Sequence, residues 1–417
     1  MAAGDPWLDY PAIKALMAQE TSTVEVPEAP MKPGPGLTIL SIALVLGTFM
    51  QMLDATIINV ALPHMRGSMS AAQDQITWVL TSYVVMAGIC TPLTGFLVTR
   101  YGRKTLFVSS VVGFTIASMM CGLAQSLGEI VLFRMLQGAT GAFLVPLSQT
   151  IIMDIYPKEK YASALGAWSA SLLLAPILGP TLGAYLTEIY SWRWAFFINL
   201  PVGALAAIGA IMFLPESKKK PDIKFDVVGF ALLAIALSSF QLMLDRGTTL
   251  DWFSSREIVI EACVAALVFY LFIVHMFTAP NPFLTTDTFK DLSFLFGTIT
   301  LFVIMFVMFG NVAIVPTMLQ SLMGYPVLAT GMLVLPRGIG AFLSTVLSGR
   351  LAHIDARIII FAGIVITAGS IWHMSSWTLE VSRQEIMWTG FIQGVGSGFV
   401  FTPLVTAAFS TLQQKLR

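Results

Sequence analysis

Charge is scarce in this sequence. Only 11% of its 417 residues are Asp, Glu, Lys or Arg, the two signs match at 23 each, and the formal net charge is zero. That balance argues against nucleic acid as a partner, because binding phosphates needs a basic face. Cysteine is scarcer still. Cys90, Cys121 and Cys263 stand far apart inside apolar runs, a spacing that suggests neither a disulfide framework nor a metal site. The four histidines (His64, His275, His353 and His373) lie in loops or at helix ends, without the His, Asp or Cys cluster that a membrane-embedded enzyme needs. There is no G-x-x-x-x-G-K-[ST] nucleotide loop, so an ion gradient must drive any pumping. A gradient of ~100 mV contributes about 2.3 kcal/mol per charge from potential alone. Residues 1–36 lack a basic start before an apolar core, so they are not a secretory signal. They hold Pro6, Pro11, Pro27, Pro30, Pro33 and Pro35 and read as a water-exposed tail, with a short amphipathic turn around Trp7–Met17.

Apolar residues make up 56% of the chain, the profile of an all-α polytopic membrane protein. Twelve runs are long enough to cross a ~30 Å hydrocarbon core as helices of ~20 residues. They span 38–62, 77–98, 105–124, 129–153, 162–188, 194–214, 227–244, 257–277, 294–320, 327–350, 358–376 and 385–412. The chain then divides into a polar cytoplasmic tail (1–36), a six-helix bundle (37–214), a cytoplasmic loop with two linker helices (215–277) and four helices at 278–417.

The first run ends in Leu53-Asp54-Ala55-Thr56-Ile57-Ile58-Asn59-Val60-Ala61-Leu62-Pro63, with a carboxylate well inside the apolar stretch. A charge at that depth costs about 2.5–3.5 kcal/mol on insertion scales. Gly47, Gln51, Asp54 and Ile58 share one helical face. Two readings are open for Asp54: a proton-binding group lining a transport path, or an acid neutralised by protonation or by packing against another helix. Arg134 lies ~5 residues inside the fourth run, roughly 8 Å below the surface, at a depth comparable with Asp54. An intramembrane arginine needs a partner, and no other acid sits so deep in the first six runs. The pair is a candidate for proton coupling, with a purely structural ion pair as the alternative. Arg337, after Pro336 in the tenth run, is a third buried charge, free to meet substrate or an acid across a cavity. Gln51, Asn59, Gln137 and Arg337 are the candidates for a substrate path. Phe302, Met305, Phe306 and Phe309 form a stripe that is either lipid-facing or a soft wall for varied apolar substrates.

Basic residues set the orientation. With the N-terminus in the cytoplasm, inside loops hold Arg100, Arg103, Lys104, Lys158, Lys160, Lys218, Lys219, Lys220, Lys224, Lys290, Arg350, Arg357, Lys415 and Arg417. Outside loops hold only Arg66, Arg193, Arg246, Arg256 and Arg383. Both termini are therefore expected inside. The chain also repeats itself. Gly95, Leu97 and Arg103 recur as Gly349, Leu351 and Arg357, and Gln137-Gly138 recurs as Gln393-Gly394. Runs 2–4 match runs 10–12, which makes two copies of one bundle around a pair of extra helices. By that register the second copy should continue for two more helices, so the sequence reads as incomplete by its own symmetry, four helices of an expected six.

These residues carry a resemblance. The chain resembles the 14-helix drug:proton antiporter branch of the major facilitator superfamily, the EmrB/QacA type, over residues 37–417. Leu53–Pro63 is similar to that branch's signature in its first helix. Gly95-Phe96-Leu97-Val98-Thr99-Arg100-Tyr101-Gly102-Arg103-Lys104 resembles the superfamily's loop 2–3 motif, and Arg134, Gln137, Gly138 and Gly141 its fourth-helix motif. Gly166, Gly179, Pro180 and Gly183 resemble the antiporter motif of the fifth helix, and Trp192-Arg193-Trp194 with Asn199 and Pro201 is a further mark. Thr99 replaces the usual acid, His353 stands at its counterpart, and Ala175 and Ala184 replace glycines. Gly95, Arg100, Gly102 and Arg103 are expected to form a cytoplasmic latch or simply to set topology, with Asp154 standing in for the missing acid. Small residues in the fifth run suit close helix packing.

The resemblance implies a proton-coupled antiporter in a bacterial cytoplasmic membrane. It would export lipophilic compounds without a cofactor, with a periplasmic adaptor and an outer-membrane channel as partners. Rival expectations are an exporter of one metabolite, siderophore or amino acid, and a truncated remnant that does not transport.

Overall fold

The computed structural model describes residues 31–410 apart from 158–159, 218, 220–221, 223, 281, 283–289 and 352–353. The tail up to residue 30, Lys158, Lys218, Lys220, His353, Lys415 and Arg417 lie outside the described residues. Among the described residues twelve long helices follow one another: α1 Pro35–Ser68, α2 Trp78–Tyr101, α3 Arg103–Leu123, α4 Leu127–Ile155, α5 Tyr161–Ile189, α6 Trp194–Phe213, α7 Val227–Arg246, α8 Arg256–Thr278, α9 Leu292–Leu322, α10 Val327–Arg350, α11 Ala356–Met374 and α12 Arg383–Ser410. Eleven are long and apolar enough to cross a membrane, and α5, bent by 44° between Ser163–Pro176 and Leu178–Ile189, makes twelve. In hydrocarbon every backbone group must find its partner within the protein, so long helices are the form these runs take.

Polar residues mark the starts. Ser126 accepts the Glu129 amide at 3.3 Å while Glu129 accepts the Gln125 amide at 2.9 Å, a reciprocal cap on α4. Asp226, Asp291 and Asp355 accept first-turn amides of α7, α9 and α11. Prolines interrupt the rods. A 3₁₀ turn at Thr91–Leu93 breaks α2 around Pro92, and the α5 bend falls in the turn before Pro180. A π-turn at Met318–Leu322 follows Pro316 in α9. Helix α6 breaks at Ile198, one turn before Pro201, which has no amide hydrogen to give the Phe197 carbonyl.

Helices α1 to α6 pack together, with α1 against α5 and α6, α2 against α4, and α3 against α4 and α6. Helices α9 to α12 pack around α12. The groups meet where α5 lies along α10 and α12. The hairpin α7–α8 rests on α2: Thr81 donates to Asp245 at 2.8 Å near one end, and the Phe96 and Phe225 rings stand 4.7 Å apart near the other. Gly138 on α4 and Gly394 on α12 are sites of close approach, since a methyl group at either would collide with a backbone carbonyl, that of Tyr83 or of Arg337.

Candidate functional site

Asp54 and Arg134 are both fully enclosed, and Arg134 Nη1 lies 2.5 Å from Asp54 Oδ2. Two further side chains donate to the other carboxylate oxygen, Oδ1: Gln137 Nε2 at 2.8 Å and Asn199 Nδ2 at 2.9 Å. Arg134 also donates from Nη1 to Gln137 Oε1 at 2.8 Å and from Nε to the Val79 carbonyl at 3.0 Å. Its guanidinium carbon sits 4.1 Å from the centre of the Tyr83 ring, a cation–π contact in a dry setting. Three donors on one carboxylate, one of them a cation, make a cradle for the ionised acid.

The cradle comes from local sequence. The i, i+3 step from Arg134 to Gln137 sets both side chains on one face of α4. The break in α6 places Asn199 at the start of its second segment. Sequence reasoning set Asn199 only among the marks of a family. A polar residue two before a proline in an apolar run was the signal that could have raised it.

Of the four residues expected along a substrate path, one lines the central cavity. This cavity, about 190 Å³, lies between the two groups of helices. Met52 of α1, Val145 of α4 and Leu172 and Pro176 of α5 wall one side. Met305, Met308, Phe309 and Val312 of α9, Arg337 of α10 and Phe401 of α12 wall the other. Gln51 and Gln137 do not reach it. Gln51 is buried beside Gly141, and Gln137 is taken up by Asp54 and Arg134, so both belong to the interior of the first helix group. Asn59 is exposed on the face of α1 that carries Met52 but does not line the cavity. The aromatic stripe of α9 splits: Phe302 and Phe306 are 70% and 74% exposed, whereas Met305 and Phe309 wall the cavity.

Arg337 is 7% exposed, and its Nη2 donates to the Met308 carbonyl at 3.2 Å. Among the described residues no carboxylate lies within ion-pair distance of it. The interval that separates Gly95 from Gly349 also separates Tyr83 from Arg337, and Gly390 stands in the second copy where Arg134 stands in the first. The α10–α12 contact thus repeats the α2–α4 contact with its arginine moved to the other helix. Gly390 sits against Arg337, where a methyl group would come 3.6 Å from the arginine Cβ.

At the basic end of the molecule Arg103 Nη1 meets Asp154 Oδ2 at 2.5 Å, while Arg100 lies over the Phe96 and Tyr101 rings. Gly102 joins α2 to α3 with φ +88°, a conformation side chains resist. Ser217 Oγ accepts the Arg103 amide at 2.9 Å, which ties the loop after α6 to the start of α3. Gly95 is exposed, and among the described residues nothing approaches the space a side chain would fill, so it joins no packing contact with them. Thr99 turns back to the Gly95 carbonyl at 2.8 Å and takes no part in the ion pair. Along α5, Gly179 and Gly183 press on Thr56 and Ile57 of α1, within the first helix group. Gly166 faces Thr345 of α10, so only this glycine of the motif borders the seam between the groups.

Comparison with known proteins fits this frame. Residues 44–417 match the Major Facilitator Superfamily. The multidrug export protein EmrB of Escherichia coli K12 is 38% identical over 382 residues, covering 91% of this chain and 75% of EmrB. The fatty acid resistance protein FarB of Neisseria gonorrhoeae is 36% identical, covering 92% of this chain and 76% of FarB. The solved proton:xylose symporter XylE superposes with a TM-score of 0.65 at 13% identity, covering 91% of this chain and 83% of XylE, a likeness of fold. The chain belongs to the Major Facilitator Superfamily. It is a multi-pass membrane transporter related to multidrug and fatty-acid-resistance exporters, and not an enzyme.

Proposed function

We propose that the chain is a proton-coupled antiporter that exports lipophilic compounds from the cytoplasm, with Asp54 as the proton site. The observation that carries this reading is a fully buried carboxylate held by Arg134, Gln137 and Asn199 on the helix whose Met52 walls the central cavity. An ionisable group at that depth is retained at a cost, and proton relays are a recurrent use of such groups. The end bearing Arg100, Arg103 and Lys219 faces the cytoplasm, following the bias of basic loops. Asp54→Asn is expected to abolish pH-driven efflux in everted vesicles while the protein remains inserted. Undiminished proton-driven efflux in that variant refutes the proposal.

The favoured substrates carry an apolar body and a negative head. Met305, Met308 and Phe309 form an adaptable apolar wall, and Arg337 is a desolvated cation on it whose polar partner among the described residues is a backbone carbonyl. The relative FarB, by name a fatty acid resistance protein, agrees with that chemistry. Arg337→Gln should weaken binding of a long-chain carboxylate at least tenfold, about 1.4 kcal/mol, and leave a long-chain alcohol nearly unaffected. Equal loss for both ligands would point to a packing role alone.

A further inference from the structure

Of the stretch Trp192-Arg193-Trp194 with Asn199 and Pro201, only the Asn199 bond to Asp54 has entered the mechanism so far. Asn199 uses both amide hydrogens: one goes to Asp54 Oδ1 at 2.9 Å, the other to Ser118 Oγ of α3 at 2.9 Å. The Ser118 hydroxyl in turn donates to the Phe196 carbonyl at 2.9 Å, just before the break in α6. All four residues are buried. Two residues before Asn199, Phe197 occupies the space a side chain on Gly122 would need. Arg193 donates to the Gly122 and Ala124 carbonyls at 2.8 and 2.6 Å, closing the last turn of α3. A continuous line of contacts thus runs from the Asp54 carboxylate to the ends of α3 and α6 remote from the Arg103–Asp154 pair.

We propose that Asn199, acting with Ser118, is a positioning residue that transmits the protonation of Asp54 to the ends of α3 and α6 around residues 190–198. The inference rests on Asp54 being the proton site. A hydrogen bond to a charged acceptor is roughly twice as strong as one to a neutral acceptor. When Asp54 takes up a proton, Asn199 loses its hold there while keeping Ser118. The break at Ile198, made by Pro201, leaves that segment free to adjust without unwinding a continuous helix. Gln137 makes the same kind of bond from within α4, beside Arg134, and it meets α3 through the Cys121 thiol, a weak donor to its Oε1 at 3.6 Å. The titratable groups facing Asp54 are Tyr83 of α2, Cys121 of α3 and Arg134 of α4. α5 meets α1 there through Gly179 and Gly183, and α6 through Asn199.

The test places an environment-sensitive fluorophore on Ser191→Cys in the full chain, with Cys263→Ser removing the exposed thiol, and follows its signal against pH in lipid nanodiscs. The parent protein should show one acid transition that disappears in Asp54→Asn. Survival of the transition in that variant defeats the proton-site reading itself. With that control satisfied, Asn199→Leu should cut the amplitude at least twofold and move what remains to higher pH by about tenfold in proton concentration, because the carboxylate loses a donor while its protonated form does not. Ser118→Ala should leave the midpoint nearer the parent's and cut the amplitude at least twofold. If either variant matches the parent, the proposal is wrong. Should Asn199→Leu fail to fold, Asn199→Thr keeps a hydroxyl donor and must shift the midpoint in the same direction by less.

Discussion

Where α2 meets α4 the facing residues are Tyr83 and Arg134. Where α10 meets α12, at the matching places of the repeat, they are Arg337 and Gly390. Each contact closes on a glycine, Gly138 or Gly394, set against the partner's backbone, and each carries one buried arginine. Their surroundings differ. Arg134 has Asp54, Gln137 and a tyrosine face around it, with no opening to the cavity. Arg337 lines the cavity, and the helix matching α1, namely α9, has no acid from Leu292 to Thr317 to offer it. Among the described residues, one frame therefore hosts a self-neutralised pair in one copy and an uncompensated cation in the other. On the proposed reading, the pair exchanges a proton and the cation waits for a counter-charge from outside.

The sharpest way to break this comparison is to remove each arginine. Arg134→Leu strands the Asp54 charge, and the loss should be on the order of 3–5 kcal/mol, seen as a collapse of the melting temperature in detergent. Arg337→Leu strands nothing, so its melting temperature should stay level or rise. Equal losses would erase the distinction between the halves.

A double-mutant cycle comes next. Asp54→Asn with Arg134→Gln should show a coupling of roughly 1–3 kcal/mol, whereas Arg337→Gln with Gly390→Ala, which touch without opposite charges, should couple by only about 0.5 kcal/mol, the low end for residues in contact. Thermal or denaturant unfolding of the four single and two double variants decides it.

A smaller effect is expected from giving the second half an acid. Met308→Asp puts a carboxylate beside Arg337, so binding of a long-chain carboxylate should fall about tenfold, as in Arg337→Gln, measured by competition on the purified protein. Binding that improves or stays level would show that Arg337 does not meet the head group.

The least effect belongs to the ion pair at the basic end. Arg103 and Asp154 are 29% and 21% exposed, so Asp154→Asn should cost under about 1 kcal/mol of stability. Its signature should instead be a change of a few-fold in transport rate, read in proteoliposomes.

Much of the frame was legible from residues alone. The apolar runs set the helices, because a helix is the form a lone apolar segment takes in lipid. The depths of Asp54 and Arg134 pointed to each other, since neither charge is tolerable there unpaired. Gly102 marked its turn through its missing side chain. The division of labour among Gln51, Asn59, Gln137 and Arg337 was not legible, because the same polar residue on an apolar helix serves a bundle interior or a cavity equally well.

Amino-acid order by itself determined which segments cross the membrane, where prolines break them and which two charges must be reconciled inside the first six helices. Those are consequences of hydrocarbon solvation and of backbone chemistry, local to each run. Tertiary structure alone decided that Asn199 shares the Asp54 carboxylate, that Gln137 belongs to that cradle and not to the cavity, and that Arg337 is left facing open space. Each of these depends on how helices distant in sequence are rotated and pressed together, and small residues set that rotation through contacts no single run contains.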